Sequence, residues 1–217
     1  MEMSLVAEET RAQAAVFDQI GAQYQTAFGV NPTQVAATRW LIQQLPVGAR
    51  VLDVGCGTGV PTAQVLAEAG LAVVGIDRSP VMLRLAQANV PRGSFALMDM
   101  TAPALPADTF AAMTAFFSLL MLRKAVIGPT LRQLTRALCP QSPVVVAMVA
   151  GEVDYAALPF LGQTVHVSAY APEAFVAVLG AAGLRVEEQQ SVEFRAAEAA
   201  PAETQVFYYC RYAPPVG

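Results

Sequence analysis

A glycine-rich turn that directly follows an apolar strand is the feature that most constrains this chain. Residues 51–54 are Val-Leu-Asp-Val, typical of a buried strand, and residues 55–59 are Gly-Cys-Gly-Thr-Gly. A helix-forming segment begins a few residues later. Glycines at such a turn let the backbone fold tightly and approach a ligand that side chains would exclude. The chain is therefore expected to form a strand–turn–helix unit with a ligand site at the turn.

The spacing of the glycines and a nearby carboxylate favour one kind of ligand. A dinucleotide-binding turn has the pattern G-x-G-x-x-G, whose third glycine would fall at position 60, where this chain has Val60. Asp53 also brings a negative charge to the mouth of the turn, which would repel a pyrophosphate and attract a cationic amino group. The pattern therefore favours a methionine-type ligand, and a nicotinamide oxidoreductase is the weakest alternative.

Two more acidic residues follow apolar strands. Asp77 ends the second predicted strand, and its carboxylate can accept two hydrogen bonds from the hydroxyls of a ribose. Asp99 follows the third, where it can accept from an adenine amino group while Leu97, Met98 or Met100 packs on the ring. Because ligands bind at the carboxyl ends of parallel strands, Asp53, Asp77 and Asp99 predict partners for an amine, a ribose and an adenine in chain order.

Short apolar runs alternate with helix-period segments from residue 50 onward, which predicts repeated βα units and a parallel sheet. We expect strands at 51–54, 72–77, 95–98, 110–117 and 144–149, and closing strands at 184–194 and 204–211. The main helices are expected at 5–24, 31–45, 61–69 and 172–179, with another starting at Ser79-Pro80, while 152–170 is expected to be irregular.

The chain resembles the class I S-adenosylmethionine-dependent methyltransferases, especially the small-molecule enzymes of the ubiquinone-biosynthesis type. The resemblance covers roughly residues 17–149 and is strongest at 51–59 and 75–83. It implies an α/β fold: a three-layer sandwich around a Rossmann-like, seven-stranded, mostly parallel sheet whose last strand is antiparallel. A single domain over 1–217 is expected, with N-terminal lid helices at 1–45, a cofactor-binding core at 50–150, and a substrate-side segment with the closing strands at 151–217.

The resemblance also implies roles for individual residues. Asp53, Gly55 and Phe116 would lie against the methionine part of the cofactor, Asp77 at the ribose, and Asp99 beside the adenine. Residues 17–24 look like the family's lid segment, in which Tyr24 is the candidate for an aromatic hydroxyl that reaches the cofactor. With S-adenosylmethionine as cofactor and S-adenosylhomocysteine as product, the expected binding residues are Tyr24, Asp53, Gly55, Cys56, Gly57, Asp77, Arg78, Met82, Asp99, Met100 and Phe116.

His166 is the candidate catalytic residue, because it is the only histidine and lies in the segment that closes the substrate pocket in similar proteins. A histidine there can act as a general base on an attacking hydroxyl. The alternative is a half-exposed structural residue. Methyl transfer requires no dedicated base, since the sulfonium already activates the methyl group and positioning can supply most of the catalysis. Many relatives carry histidines after the fourth strand, where this chain has Leu-Leu-Met at 119–121.

Composition narrows the function further. A net charge of -4 without basic runs disfavours a nucleic-acid substrate. The most apolar stretch, 110–122, is too short to cross a bilayer, and the N-terminus lacks the pattern of a secretory signal, so no membrane partner and a cytoplasmic location are expected. Three dispersed cysteines and one histidine provide no zinc or other metal site. The alanine-rich composition is compatible with a homodimer.

The predicted function is methyl transfer to an oxygen, nitrogen or carbon nucleophile of a small molecule. One alternative is an enzyme of this fold that binds the cofactor without consuming it and performs a cyclisation or decarboxylation. Another is a non-catalytic pseudo-methyltransferase that holds a protein partner, which the intact Asp53, Gly55, Gly57 and Asp77 disfavour.

Overall fold

The computed structural model describes residues 2–28, 31–195 and 202–214 and is built around one large sheet. The strands are β1 Arg50–Val54, β2 Ala72–Asp77, β3 Ser94–Leu97, β4 Ala112–Phe116, β5 Pro143–Val149, β6 Val153–Phe160, β7 Gln163–Ala169, β8 Leu184–Phe194 and β9 Glu203–Tyr212. Seven of them form the main sheet in the order β3-β2-β1-β4-β5-β9-β8. Strands β1 to β5 are parallel, and β9 runs antiparallel between β5 and β8. The expected sheet, including its antiparallel last strand, is confirmed.

Helices cover both faces of this sheet. They are α1 Glu2–Ile20, α2 Gln23–Phe28, α3 Pro32–Ile42, α4 Thr62–Glu68, α5 Pro80–Asn89, α6 Lys124–Thr135 and α7 Pro172–Ala181, and a short 3-10 helix spans Leu119–Met121. No helix among the described residues is long and apolar enough to cross a membrane.

The strict alternation of side chains in β5 and β9 explains the three layers. Val146 and Tyr208 belong to a core that includes residues of α6 and α7, whereas their neighbours Val145 and Phe207 belong to a second core with residues of α3 and α4. Successive residues of a strand point to opposite faces, so each inner strand supplies both cores. An apolar sequence without alternation is therefore typical of these central strands.

Capping residues fix where two helices begin. The side chain of Asn31 accepts hydrogen bonds from the backbone of Thr33 and Gln34 at the start of α3. The hydroxyl of Ser79 accepts from the backbone of Met82 at the start of α5. In both helices proline occupies the first position, where its missing N–H costs nothing. The predicted starting points are thus confirmed.

Two expectations about local structure were wrong. The helix expected at 5–24 is interrupted at Gly21, whose φ of +48° ends α1 and starts the separate helix α2. The segment 152–170 is not irregular, because β6 and β7 pair as an antiparallel hairpin. Leu161 and Gly162 form its turn with φ of +49° and +76°, the left-handed conformations that two-residue hairpin turns require. Most of β6 is exposed, so its sequence lacks the usual apolar alternation.

The loop expected between the two closing strands, 195–203, falls mostly at 196–201, outside the described residues.

Candidate functional site

A cleft of about 820 Å³, including its opening to solvent, lies at the carboxyl ends of the central strands. From the sequence-predicted set, the structure places these residues along its wall: Tyr24, Gly55, Gly57, Asp77, Arg78, Met82, Asp99, Met100 and Phe116. Residues from β1, β2 and β4 therefore meet as expected for the point where the strand order reverses in an open α/β sheet.

The glycine turn forms the floor of the cleft. Gly55 and Gly57 have φ of +67° and +53°, a region that favours glycine. The backbone N–H of Gly55 donates to the carbonyl of Ile76 at 2.8 Å, which fixes the turn against β2. A Cβ on Gly55 would overlap the side chain of Ser118, whereas a Cβ on Gly57 would meet no atom within 4 Å. The turn is thus tight at Gly55 and open toward the cleft at Gly57.

Asp77 connects the end of β2 to the glycine turn. One carboxylate oxygen accepts from the backbone N–H of Gly57 at 2.9 Å, and the other accepts from that of Ser79 at 2.8 Å. Burial raises the pKa of Asp77, although these hydrogen bonds oppose the rise. Each carboxylate oxygen retains a second lone pair, so Asp77 is held in place and can still accept hydrogen bonds from a ligand.

Asp53 lies behind the glycine turn and does not line the cleft. It is 3% exposed, and one of its oxygens accepts from the Thr114 hydroxyl at 2.8 Å. The other oxygen, Oδ2, is buried without a hydrogen-bond partner among the described residues. Burial raises the pKa of Asp53 to about 7, a rise that the Thr114 hydrogen bond opposes and the charge of Asp77 reinforces. Its free oxygen can bind a positively charged group that reaches the turn.

Cys56 does not contribute a side chain to the cleft, contrary to the expectation for a binding residue. Its sulfur packs on the opposite side of the turn, 2.8 Å from where a Cβ on Gly75 would lie. Burial raises the pKa of the Cys56 thiol well above its usual range. Its contribution to the site is its backbone N–H, which donates to Ile76 at 3.1 Å.

The predicted adenine end is tied to the lid helix α1. Asp99 forms an ion pair with Arg78, and its carboxylate also accepts from the hydroxyl of Thr10 on α1 at 3.0 Å. Arg78 donates to the same hydroxyl at 2.7 Å and to the carbonyl of Ala7 at 3.3 Å. Thr101 satisfies the other oxygen of Asp99 through its N–H and hydroxyl. The sequence carried no signal for Thr10, because its partners are distant in the chain.

Three aromatic rings join the lid helices to the hairpin. The ring centroid of Tyr24 lies 6.1 Å from that of Phe17 and 6.3 Å from that of Phe160, and Phe17 and Phe160 are 6.2 Å apart. Burial, followed by the charges of Asp77 and Glu203, raises the pKa of Tyr24 to about 12. Phe160 was missed because its segment was expected to be irregular. The Leu-Gly pair at 161–162 was the available hairpin signal.

His166 does not line the cleft, so the geometry gives no support to its predicted role as a general base. Its imidazole stacks on the ring of Tyr155, with the centroids 4.8 Å apart and the planes at 19°. Strand alternation on β7 buries its neighbour Val165 and turns His166 to the other face. The backbone of His166 is what connects to the cleft wall, through two hydrogen bonds with the side chain of Gln13.

Comparisons with known proteins show which proteins the chain resembles. Residues 51–141 match the family model described as a methyltransferase domain. The chain is 39% identical over 102 residues to the magnesium-protoporphyrin O-methyltransferase of Rhodobacter capsulatus. That match covers 43% of this chain and 44% of the relative, so the chain spans less than half of the relative's length.

The segment 51–141 is therefore similar to a methyltransferase domain. Its glycine turn lies inside the matched segment, as do Asp53, Asp77 and Asp99.

Solved structures extend the likeness of the fold to nearly the whole chain. A 1,6-didemethyltoxoflavin-N1-methyltransferase of Burkholderia thailandensis, solved with S-adenosylhomocysteine, superposes with a TM-score of 0.69 at 19% identity. The superposition covers 98% of this chain and 89% of that one. The [4+2]-cyclase SpnF superposes with a TM-score of 0.66 at 21% identity, covering 84% and 82% of the two chains. At these identities the superpositions establish the fold alone.

Proposed function

We propose that the protein transfers the methyl group of S-adenosylmethionine to a small-molecule acceptor. The observation that carries the proposal is the meeting of the glycine turn, Asp77 and Asp99 in one cleft at consecutive strand ends. The buried Asp53, with one unpartnered oxygen, gives a positively charged amino group a partner at the same turn. The residues present therefore fit the cofactor.

Each part of the cofactor has a matching set of groups. Asp77 would hold the ribose, because its carboxylate is fixed by backbone donors and still has free lone pairs. Asp99 and Met100 would flank the adenine. Gly55 and Phe116 would lie against the methionine part, and Tyr24 would cover the cofactor from the lid.

The chain's own contribution to the reaction is orientation and exclusion of water. When bound, S-adenosylmethionine supplies a methyl group on a positively charged sulfur, which is already a good electrophile. The aromatic cluster of Phe17, Tyr24 and Phe160 connects the lid to the hairpin and closes this side of the cleft. Holding two reactants in line in a dry site can supply most of the acceleration such a transfer needs.

A small molecule, rather than a nucleic acid, is the proposed acceptor, and the cytoplasm is the proposed location. The net charge of -4 without basic runs gives no surface suited to a phosphate backbone. One relative is named for methylation of magnesium-protoporphyrin at oxygen, which is a small-molecule acceptor.

A calorimetric titration with S-adenosylmethionine tests the cofactor assignment. We expect saturable binding to the wild type and at least about tenfold weaker binding to Asp77→Asn, because hydrogen bonds to a charged group contribute about 1.5–3 kcal/mol. Asp108→Asn, at an exposed aspartate, is the matched control and should bind as the wild type does. NADH should not bind.

Circular dichroism of each variant separates loss of binding from loss of folding. If the folded wild type does not bind S-adenosylmethionine, the proposed function is wrong. A product formed without release of S-adenosylhomocysteine would instead identify a non-methylating reaction.

A further inference from the structure

The carboxylate of Asp99, the proposed partner of the adenine, is already filled by donors of the described residues. A carboxylate offers about four positions to hydrogen-bond donors, two on each oxygen. Thr101 takes both positions on Oδ1, through its backbone N–H at 2.9 Å and its hydroxyl at 2.7 Å. Arg78 and the hydroxyl of Thr10, the latter at 3.0 Å, take those on Oδ2. An adenine amino group can therefore bind Asp99 only if one of these donors gives way.

Thr10 is the donor that is most easily displaced. Thr101 is two residues from Asp99, so its hydrogen bonds form a local turn that belongs to the same loop. The guanidinium of Arg78 is charged, and hydrogen bonds between two charged groups are roughly twice as strong as those between neutral groups. Thr10 contributes a neutral hydroxyl from α1, 89 residues away in the chain. Its hydrogen bond is thus neither local nor between two charged groups.

The hydroxyl of Thr10 also has other acceptors within reach. It has a single proton, and the carbonyls of Val6 and Ala7 in the preceding turn of α1 lie at 3.0 Å and 3.2 Å. If the proton turns to one of these carbonyls, the hydroxyl oxygen can still accept from Arg78 at 2.7 Å. Thr10 can therefore release Asp99 without leaving a buried group unpaired and without detaching α1 from Arg78.

We propose that the hydroxyl of Thr10 competes with the adenine amino group for Oδ2 of Asp99 and gives way when the cofactor binds. All three groups meet at the cleft, because Thr10, Arg78 and Asp99 line the same wall. This inference rests on the proposed function and on the placement of the adenine at Asp99. The amino group then contributes only the difference between its own hydrogen bond and the one that it displaces. S-adenosylhomocysteine carries the same adenine, so the competition also limits how tightly the product is held.

Two ligands of the unmodified protein test the proposal without any substitution. They are S-adenosylhomocysteine and its analogue in which hydrogen replaces the adenine amino group, and calorimetry gives the Kd of each. The analogue cannot donate to Asp99, so Thr10 keeps its hydrogen bond when the analogue binds. We expect the two Kd values to agree within about threefold, because one hydrogen bond replaces another. An amino group that met a free carboxylate would improve the affinity by about tenfold or more, and that result would overturn the proposal.

Thr10→Ala removes the competing hydroxyl and leaves room for the amino group. We expect S-adenosylhomocysteine to bind this variant about two- to tenfold more tightly than the wild type, which is the net effect of one hydrogen bond. The Kd of the analogue should not change. Thr10→Ser keeps the hydroxyl and should bind both ligands as the wild type does. Thr26→Ala is the matched control, because Thr26 is exposed on α2 and its hydroxyl bonds to the carbonyl of Ala22 in its own helix.

The comparison of the two ligands separates competition from a general effect of the lid. Weaker binding of S-adenosylhomocysteine to Thr10→Ala would show that the hydroxyl supports the cofactor, and the proposal would be wrong. A change of the same size for both ligands would also overturn it, because the hydroxyl would then act on the lid as a whole. Circular dichroism and thermal unfolding of the ligand-free variants show whether they are folded.

The wild type distinguishes failure of this inference from failure of the proposed function. If the folded wild type binds neither S-adenosylmethionine nor S-adenosylhomocysteine, the proposed function is wrong. If both bind and Thr10→Ala leaves their Kd values unchanged, the cofactor site stands and the competition by Thr10 is wrong.

Discussion

Replacing Asp53 with asparagine tests whether this buried carboxyl is held in its neutral form. Asp53 is 3% exposed, and its Oδ2 has no partner among the described residues. Asparagine has nearly the same shape, and its carbonyl can still accept from the Thr114 hydroxyl, as Asp53 does at 2.8 Å. The substitution therefore removes the ionisation while keeping the packing and one hydrogen bond.

The expected magnitude follows from the pKa of Asp53. Burial raises it from its ordinary value of 3.8 to about 7. Each unit by which the pKa of Asp53 differs between the folded and unfolded states changes the free energy of unfolding by about 1.4 kcal/mol. The total change is therefore up to about 4 kcal/mol. Because the folded pKa is the higher one, this stabilisation is complete below about pH 4. It is lost as the pH rises toward 7, where the folded protein must bury a charge.

The asparagine in Asp53→Asn cannot ionise, so the variant does not lose this stability as the pH rises. The difference in the free energy of unfolding between variant and wild type should shift in favour of the variant by up to about 4 kcal/mol between pH 4 and pH 8. Carboxyls that do not interact with Asp53 contribute equally to both proteins and cancel. The buried amide N–H groups of the asparagine add a cost that does not depend on pH, so the change with pH is the quantity to compare.

Urea unfolding at several pH values measures this difference. Trp40, the single tryptophan, packs on Tyr209 with ring centroids 5.0 Å apart and provides a fluorescence signal for the core. Asp108→Asn, at an exposed aspartate, is the control for removing one carboxylate. If the difference in the free energy of unfolding between Asp53→Asn and the wild type is the same at pH 4 and pH 8, Asp53 is not buried as a neutral acid.

Three further predictions follow from local geometry. Gly55→Ala should lower the melting temperature of the ligand-free protein more than Gly57→Ala does, because only the first places a Cβ on Ser118; thermal unfolding would show the difference, and equal shifts would contradict it. His166→Ala should keep the methyl-transfer rate within about twofold, since its ring is outside the cleft, and a hundredfold loss, typical for a general base, would restore its catalytic role. Asn31→Ala should lower the free energy of unfolding by at least about 2 kcal/mol, because it removes both a helix cap and the buried hydrogen bond that Asn31 donates to the side chain of Gln205; denaturant titration measures the loss, and an unchanged midpoint would count against both interactions.

Much of the cofactor side of the cleft was predictable from sequence because its determinants are local. The glycine turn, Asp77 and Asp99 each follow an apolar strand, and parallel strands bring their carboxyl ends to one edge of the sheet. The same strand patterns predicted the repeated βα units and the parallel strands, and the resemblance to the methyltransferases implied a seven-stranded sheet with an antiparallel last strand. Proline after Asn31 and after Ser79 predicted where two helices begin, because the capping interaction spans only three residues.

The acceptor side was decided by tertiary structure. Gln13 and His166 are 153 residues apart, and their pairing depends on how α1 packs against β7. The hairpin escaped detection because β6 is mostly exposed and lacks the apolar alternation that burial of one face imposes. Short-range periodicity thus determined the sheet and the cofactor end. Burial and contacts between distant segments decide whether Asp53 is neutral, where His166 points and what covers the acceptor. Only the folded chain establishes them.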